Sequence, residues 1–254
     1  LVKNTLLLYA RTIIVMCVGL YTSRVILDVL GIEDYGIYNV VGGFVVMFSV
    51  FSASLSNSIT RYITFELGCR NMEKLRTVFS MSLNIQIIIS AIIVLLVELV
   101  GVWFLNYRLN IPSDRLYAAN WVMQFSLITF VVNLISLPYN ALIIAYEKMD
   151  VFAYISLLEA SLKLGVVYLL FISPVDKLIF YAFLVSLLIR LIYGWYCTHK
   201  FAECRYIFVL NKTLLKNMLG FAGWNFLGTG AYLFNTNGVD ILSNLFFGIT
   251  INTA

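Results

Sequence analysis

Apolar residues run along this chain in blocks of about 20 or more, each broken off by a short polar stretch. A helix rising 1.5 Å per residue needs about 20 such residues to cross a hydrocarbon core about 30 Å thick. The blocks must be helical, because backbone N–H and C=O groups in lipid have to be satisfied within the segment. A membrane β-barrel would instead show short alternating segments, whereas residues 87–97 here are apolar apart from Ser90. Charges and turn residues bound spans at 5–30, 35–59, 79–105, 116–146, 151–172 and 178–196, with a seventh at 218–242. Gly31 closes the first, Pro138 is expected to kink the fourth, and Ser173-Pro174 ends the fifth.

The pattern implies an all-α membrane protein, a polytopic helical bundle. Residues 1–200 read as an N-terminal six-helix transmembrane lobe. Residues 201–254 read as a cytoplasmic linker and the first helix of a second lobe, the two lobes enclosing a central cavity. The chain opens on Leu1 and stops at Ala254 just after an apolar segment, so it is expected to be part of a longer transporter-like protein. A faint repeat fits two lobes: Lys3-Asn4 returns as Lys216-Asn217, and Leu30-Gly31-Ile32 as Phe247-Gly248-Ile249. The first span lacks a small-residue cleavage site and is not a cleaved signal peptide.

Orientation follows from the loops. With the N-terminus in the cytoplasm, ten Lys and Arg fall inside and three, Arg108, Arg115 and Lys177, fall outside. The positive-inside rule therefore places the N-terminus in the cytoplasm. Composition agrees with a membrane protein, since 61% of residues are apolar and 12% charged, against roughly 25% charged in soluble domains. The net charge of +4 reflects this topology and carries no sign of nucleic-acid binding. Cys17, Cys69, Cys197 and Cys204 have no recognised metal spacing, and His199 between the last two does not supply one.

Charges inside the spans are the candidate functional groups, because a bilayer makes them costly. Glu159 and Lys163 are spaced i, i+4 near the middle of the fifth span and can pair on one helix face. Both a self-neutralising structural pair and a cavity-lining pair fit that spacing. Arg11 lies in the inner part of the first span and can snorkel, and Arg24 near its outer end can pair with Asp28. The two arginines stand roughly 220° apart around a helix, so they cannot both point into one narrow cavity. Arg190 is expected to snorkel from the inner end of the sixth span, and Glu98 is expected to be buried in the third with no near partner. The seventh span is rich in Asn, Thr and Gly, and its Asn237 and Asp240 are candidates for binding a cation. Helix-packing glue is the competing role for that polar face.

Several stretches resemble a known family. Arg24-Val-Ile-Leu-Asp-Val-Leu-Gly-Ile-Glu-Asp-Tyr-Gly-Ile-Tyr-Asn39 resembles the first two spans of Wzx-type polysaccharide flippases, where an Arg-bearing helix end leads into Leu-Gly and then Tyr-Gly. Residues 58–68 with Glu73-Lys74-Leu75 look like that family's second cytoplasmic turn, and Pro138-Tyr139-Asn140 with Tyr146-Glu147-Lys148-Met149 like the end of its fourth span. The resemblance implies the fold of the multidrug/oligosaccharidyl-lipid/polysaccharide (MOP) exporter superfamily in a bacterial inner membrane. The substrate it implies is an undecaprenyl-pyrophosphate-linked oligosaccharide, flipped from the cytoplasmic to the periplasmic leaflet for O-antigen, capsule or exopolysaccharide assembly. Glycan-assembly proteins and membrane lipids are the partners that follow, with Na⁺ or H⁺ as candidate coupling ions and no cofactor. Arg24 matches the position of the family's cavity arginine. Lys163, Arg11 and Glu159 complete the substrate-binding candidates on depth and spacing alone. No bond is broken in flipping, so no catalytic residue is expected, and no Gly-rich nucleotide loop is present. The alternatives are a cation-coupled multidrug exporter of the same superfamily and, less favoured, a membrane glycan polymerase or glycosyltransferase. The longest outer loop has about ten residues, short for the catalytic loop such an enzyme needs.

Overall fold

The computed structural model describes residues 2–46, 48–107, 116–169, 178–209 and 211–228. Its elements are α1 (Val2–Val46), α2 (Ser49–Gly68), α3 (Met72–Leu96), a π-helical turn (Val97–Gly101), α4 (Val102–Tyr107), α5 (Leu116–Ala145), α6 (Met149–Leu169) and α7 (Leu178–Lys200). A short 3-10 turn, Ala202–Cys204, leads into a last helix, α8, over 212–228. Among the described residues the chain is all-helical, as the hydropathy pattern requires.

Five helical stretches are long and apolar enough to cross a bilayer: Thr5–Val29, Met72–Tyr107, Leu116–Ala145, Met149–Tyr168 and Tyr181–Lys200. They correspond to the expected first, third, fourth, fifth and sixth spans. The surface is what a lipid solvent demands. Large apolar side chains such as Leu95, Leu99, Leu191 and Trp195 stand outward, where a water-soluble bundle would carry its polar face.

The interior is built around α5, which packs against α1, α2, α3, α6 and α7. Its Leu127, Leu134, Leu142 and Ile143 are buried with Ile59 and Ile63 of α2, Leu75 and Phe79 of α3, and Ile189 of α7. Pro138 lies inside α5 without ending it. The second expected span is divided: α1 ends at Val46 and α2 begins at Ser49.

Polar turns collect at one end of the bundle. Arg70 and Glu147 take left-handed φ values of 55° and 54°. Each closes its helix with the paired backbone bonds of a Schellman-type end, Arg70 N–H to Leu67 O with Asn71 N–H to Glu66 O, and Glu147 N–H to Ile144 O with Lys148 N–H to Ile143 O. Asn71 then caps α3, its Oδ1 accepting from the Lys74 N–H at 3.0 Å. The chain after α7 lies along α3 as a strap at the same end. Arg76 Nε donates to Arg205 O at 2.7 Å, Asn84 Nδ2 to Val209 O at 3.0 Å, the Tyr206 hydroxyl to Asn84 Oδ1 at 2.7 Å, and the Ile207 N–H to Ser80 Oγ at 3.1 Å. Tyr146 stacks on Phe201 with ring centroids 4.3 Å apart, and burial beside Glu203 pushes its phenol up to about 12. The Cys204 thiol is also pushed up, by its hydrogen bond with Cys197 and by burial.

Gly31 is where α1 changes direction, with φ 74° and ψ 174°. Only glycine occupies that region readily. A Cβ there would meet nothing within 4 Å, so the backbone alone sets the penalty. Gly31→Ala is therefore expected to lower stability by about 1–3 kcal/mol, read as a drop in the thermal midpoint of the detergent-purified chain. An unchanged midpoint would mean that the kink is dispensable.

Candidate functional site

Two cations and one carboxylate meet between α6 and α7, and a third cation, Arg11 of α1, acts on the adjoining Tyr193. Glu159 on α6 places Oε1 2.8 Å from Lys163 Nζ and Oε2 3.9 Å from an Arg190 terminal nitrogen on α7. The Arg190 Nε donates to Asn133 Oδ1 on α5 at 2.9 Å. Tyr193, one turn after Arg190, is buried, faces Ser156 and lies in the field of Arg190, Glu159 and Arg11. The Arg11 guanidinium of α1 rests over the Phe152 ring, 4.5 Å from its centroid. Its Nε is buried and has no hydrogen-bond partner among the described residues. Four helices thus contribute to one cluster.

These residues stand at similar heights along their helices. Counted from the bundle end where α5 turns into α6, Arg11, Glu159, Arg190, Asn133 and Lys163 lie about 14–21 Å along their helices. Exposure is uneven, 47% for the Lys163 side chain, 18% for Glu159 and 16% for Arg190. Lys163 is the accessible member, and the Glu159–Arg190 contact is withdrawn. The layer carries an excess of positive charge, which suits an anion.

Arg190 does not snorkel as the sequence suggests. Helix α7 continues to Lys200, so Arg190 is nearly three turns from its end and too deep to reach headgroups there. It turns inward to Asn133 instead. Asn133 and Tyr193 gave no signal of their own, because an Asn or Tyr in a span ordinarily reads as helix glue or an interface anchor. Glu98 differs as well: it is exposed, on the π-helical turn Val97–Gly101, with Val97 and Gly101 buried on either side.

Arg24 stands apart. Val25 is buried against Val166 and Val167, and the Tyr21 and Tyr168 hydroxyls meet at 2.9 Å. Arg24 is thus level with the far end of α6, about 20 Å along α1 from Arg11. Arg24 and Asp28 are both exposed and make no ion pair among the described residues. Asn237 and Asp240 lie outside the described residues. His199 is exposed and lies 2.9 Å from Trp195 O through Nδ1, apart from the buried Cys197 and Cys204.

The sequence profile of one family, MatE, matches residues 8–169, well over half the chain. The match takes in Arg11, Arg24, Asn133, Glu159 and Lys163 and stops before Arg190. No curated protein and no solved structure matches the chain.

Proposed function

The chain belongs to the MatE family of the MOP superfamily, and from that premise we propose that it carries an anionic lipid-linked oligosaccharide across the membrane. Members of the family are transporters, not enzymes, and this chain is a multi-pass membrane protein. The substrate class is our reading: an undecaprenyl-pyrophosphate-linked oligosaccharide, taken from the cytoplasmic leaflet to the opposite one. One observation carries it, the cluster in which Lys163 and Arg190 face the single carboxylate of Glu159 while Arg11 acts on the adjoining Tyr193.

Each charge or unpaired polar group of such a headgroup costs several kcal/mol in hydrocarbon. A path across therefore needs cations for the phosphates and polar side chains for the sugars. Lys163 is placed to meet the anion first, with Arg190 and Arg11 behind it. Arg24, exposed about 20 Å away along α1, suits a second contact at the other end of the path. A multidrug exporter taking cationic drugs would need the opposite sign at its centre. The basic end of the bundle, with Arg70, Lys74, Arg76, Lys148 and Arg205, is assigned to the cytoplasm by the positive-inside rule.

Deletion of the gene is expected to strand lipid-linked oligosaccharide on the cytoplasmic leaflet and to stop surface glycan assembly. Leaflet-specific enzymatic labelling of the lipid-linked sugar reads the result. Intact glycan export, together with new sensitivity to cationic drugs, would favour the exporter of the same superfamily.

A further inference from the structure

We propose that Glu159 is a resident counter-anion, a carboxylate that an arriving pyrophosphate displaces from Lys163 and Arg190. The proposal rests on the anion-transport reading above and adds the residue that regulates access to its site.

Glu159 stands where a phosphate would stand. Its two oxygens face two cations on different helices, Lys163 on α6 at 2.8 Å and Arg190 on α7 at 3.9 Å. The second contact is not a hydrogen bond, since charge-assisted N–H···O bonds run about 2.7–2.9 Å. The cause is on the other side of the guanidinium. Asn133 holds the Arg190 Nε at 2.9 Å and thereby keeps the arginine from swinging onto the carboxylate. One terminal nitrogen of Arg190 is left 3.9 Å from Glu159, beyond hydrogen-bond reach. An anion with oxygens pointing in several directions can approach both cations more closely than one carboxylate on a short stem.

Charge points the same way. Arg11, Lys163 and Arg190 against Glu159 leave the layer under-neutralised, and uncompensated charge at membrane depth is costly. A pyrophosphate joining a lipid to a sugar carries one negative charge on each phosphorus, which balances the excess. Arg11 also brings a buried Nε donor without a partner among the described residues. Access orders the exchange: Lys163 is 47% exposed and Glu159 18%, so an entering anion meets Lys163 first and draws it off the carboxylate. Arg190 follows once Glu159 has lost one of its two cations. Glu159 therefore opposes binding while it holds the site together in the absence of substrate.

The sign of one mutational effect separates this role from the others. A direct ligand or a structural support would weaken binding when removed, whereas a resident competitor strengthens it. The probe is inorganic pyrophosphate, titrated calorimetrically at low salt into the full chain purified in detergent. Glu159→Gln is expected to bind it at least about fivefold more tightly than the wild type, the lower end of ordinary coupling between linked sites. Lys163→Gln and Arg190→Gln are each expected to bind it more weakly than the wild type. Wild-type binding that is unchanged or weakened in Glu159→Gln would overturn the proposal and leave the anion-transport reading standing. Failure of both proteins to bind pyrophosphate would remove that reading and this proposal with it. Should Glu159→Gln not purify as a monodisperse species, Glu159→Asp gives the same test. It draws the carboxylate back by one methylene from an already long contact with Arg190, and tighter pyrophosphate binding is again expected.

Discussion

Arg190→Ala is expected to destabilise the bundle by about 1–3 kcal/mol, because it removes the withdrawn cation facing Glu159 and leaves the Asn133 amide oxygen without its donor. The change leaves Glu159 with Lys163 alone and Asn133 Oδ1 without its 2.9 Å donor. Lys163→Ala is expected to have a smaller effect, within about 1 kcal/mol, since its side chain is 47% exposed and the pair is solvent-screened. The shorter contact, 2.8 Å against 3.9 Å, is thus the less consequential one, because burial decides the matter rather than distance. Arg190→Ala combined with Glu159→Gln should recover part of the loss, since the carboxylate then left with only the exposed Lys163 is removed as well. Thermal midpoints and membrane yields of these three variants and of Glu159→Gln alone provide the measurement. Equal losses for Arg190→Ala and Lys163→Ala, or strict additivity in the double variant, would show that Arg190 and Glu159 are not coupled.

Arg24→Ala is expected to abolish export of the glycan while the protein stays in the membrane at normal level. A guanidinium suits phosphate because it is planar, always charged and able to form two parallel hydrogen bonds. Arg24→Lys keeps the charge, loses the fork, and should restore export only in part. Arg24 is exposed on α1, and its loss breaks no ion pair among the described residues. If Arg24 does no more than anchor a headgroup boundary, lysine should replace it almost fully and alanine should matter little. Arg24→Ala with Asp28→Asn is the control for the carboxylate left behind. Full export by that double variant would remove Arg24 from the substrate path.

The spans were legible because lipid imposes a simple code: length, hydropathy and the turn residues at their ends. The fifth and sixth expected spans begin within two residues of α6 and α7, and the fourth matches α5 within one residue. What the code does not carry is the partner of a side chain across helices. Glu159 and Lys163 are legible as a pair because they share a helix face at i, i+4, and the 2.8 Å contact bears that out. Arg190 and Asn133 are 57 residues apart, and no local spacing links them. Arg190 was misplaced for a second reason. Its span was closed at Tyr196, where an aromatic suggests an interface, but α7 runs on to Lys200 and takes the arginine a turn deeper.

The strap over α3 has a consequence for how the lobe is made. Its bonds join residues 122 to 129 positions apart. At about 5–20 residues per second, the ribosome delivers residues 205–209 roughly 6–25 seconds after α3. Until then Arg76, Ser80 and Asn84 lack the partners they have in the finished fold. Ser80 and Asn84 are buried there, and no shorter chain can satisfy them in the same way. Helix α3 is therefore made before its polar side is complete, and it waits for the linker that follows its lobe to be translated before it can lock.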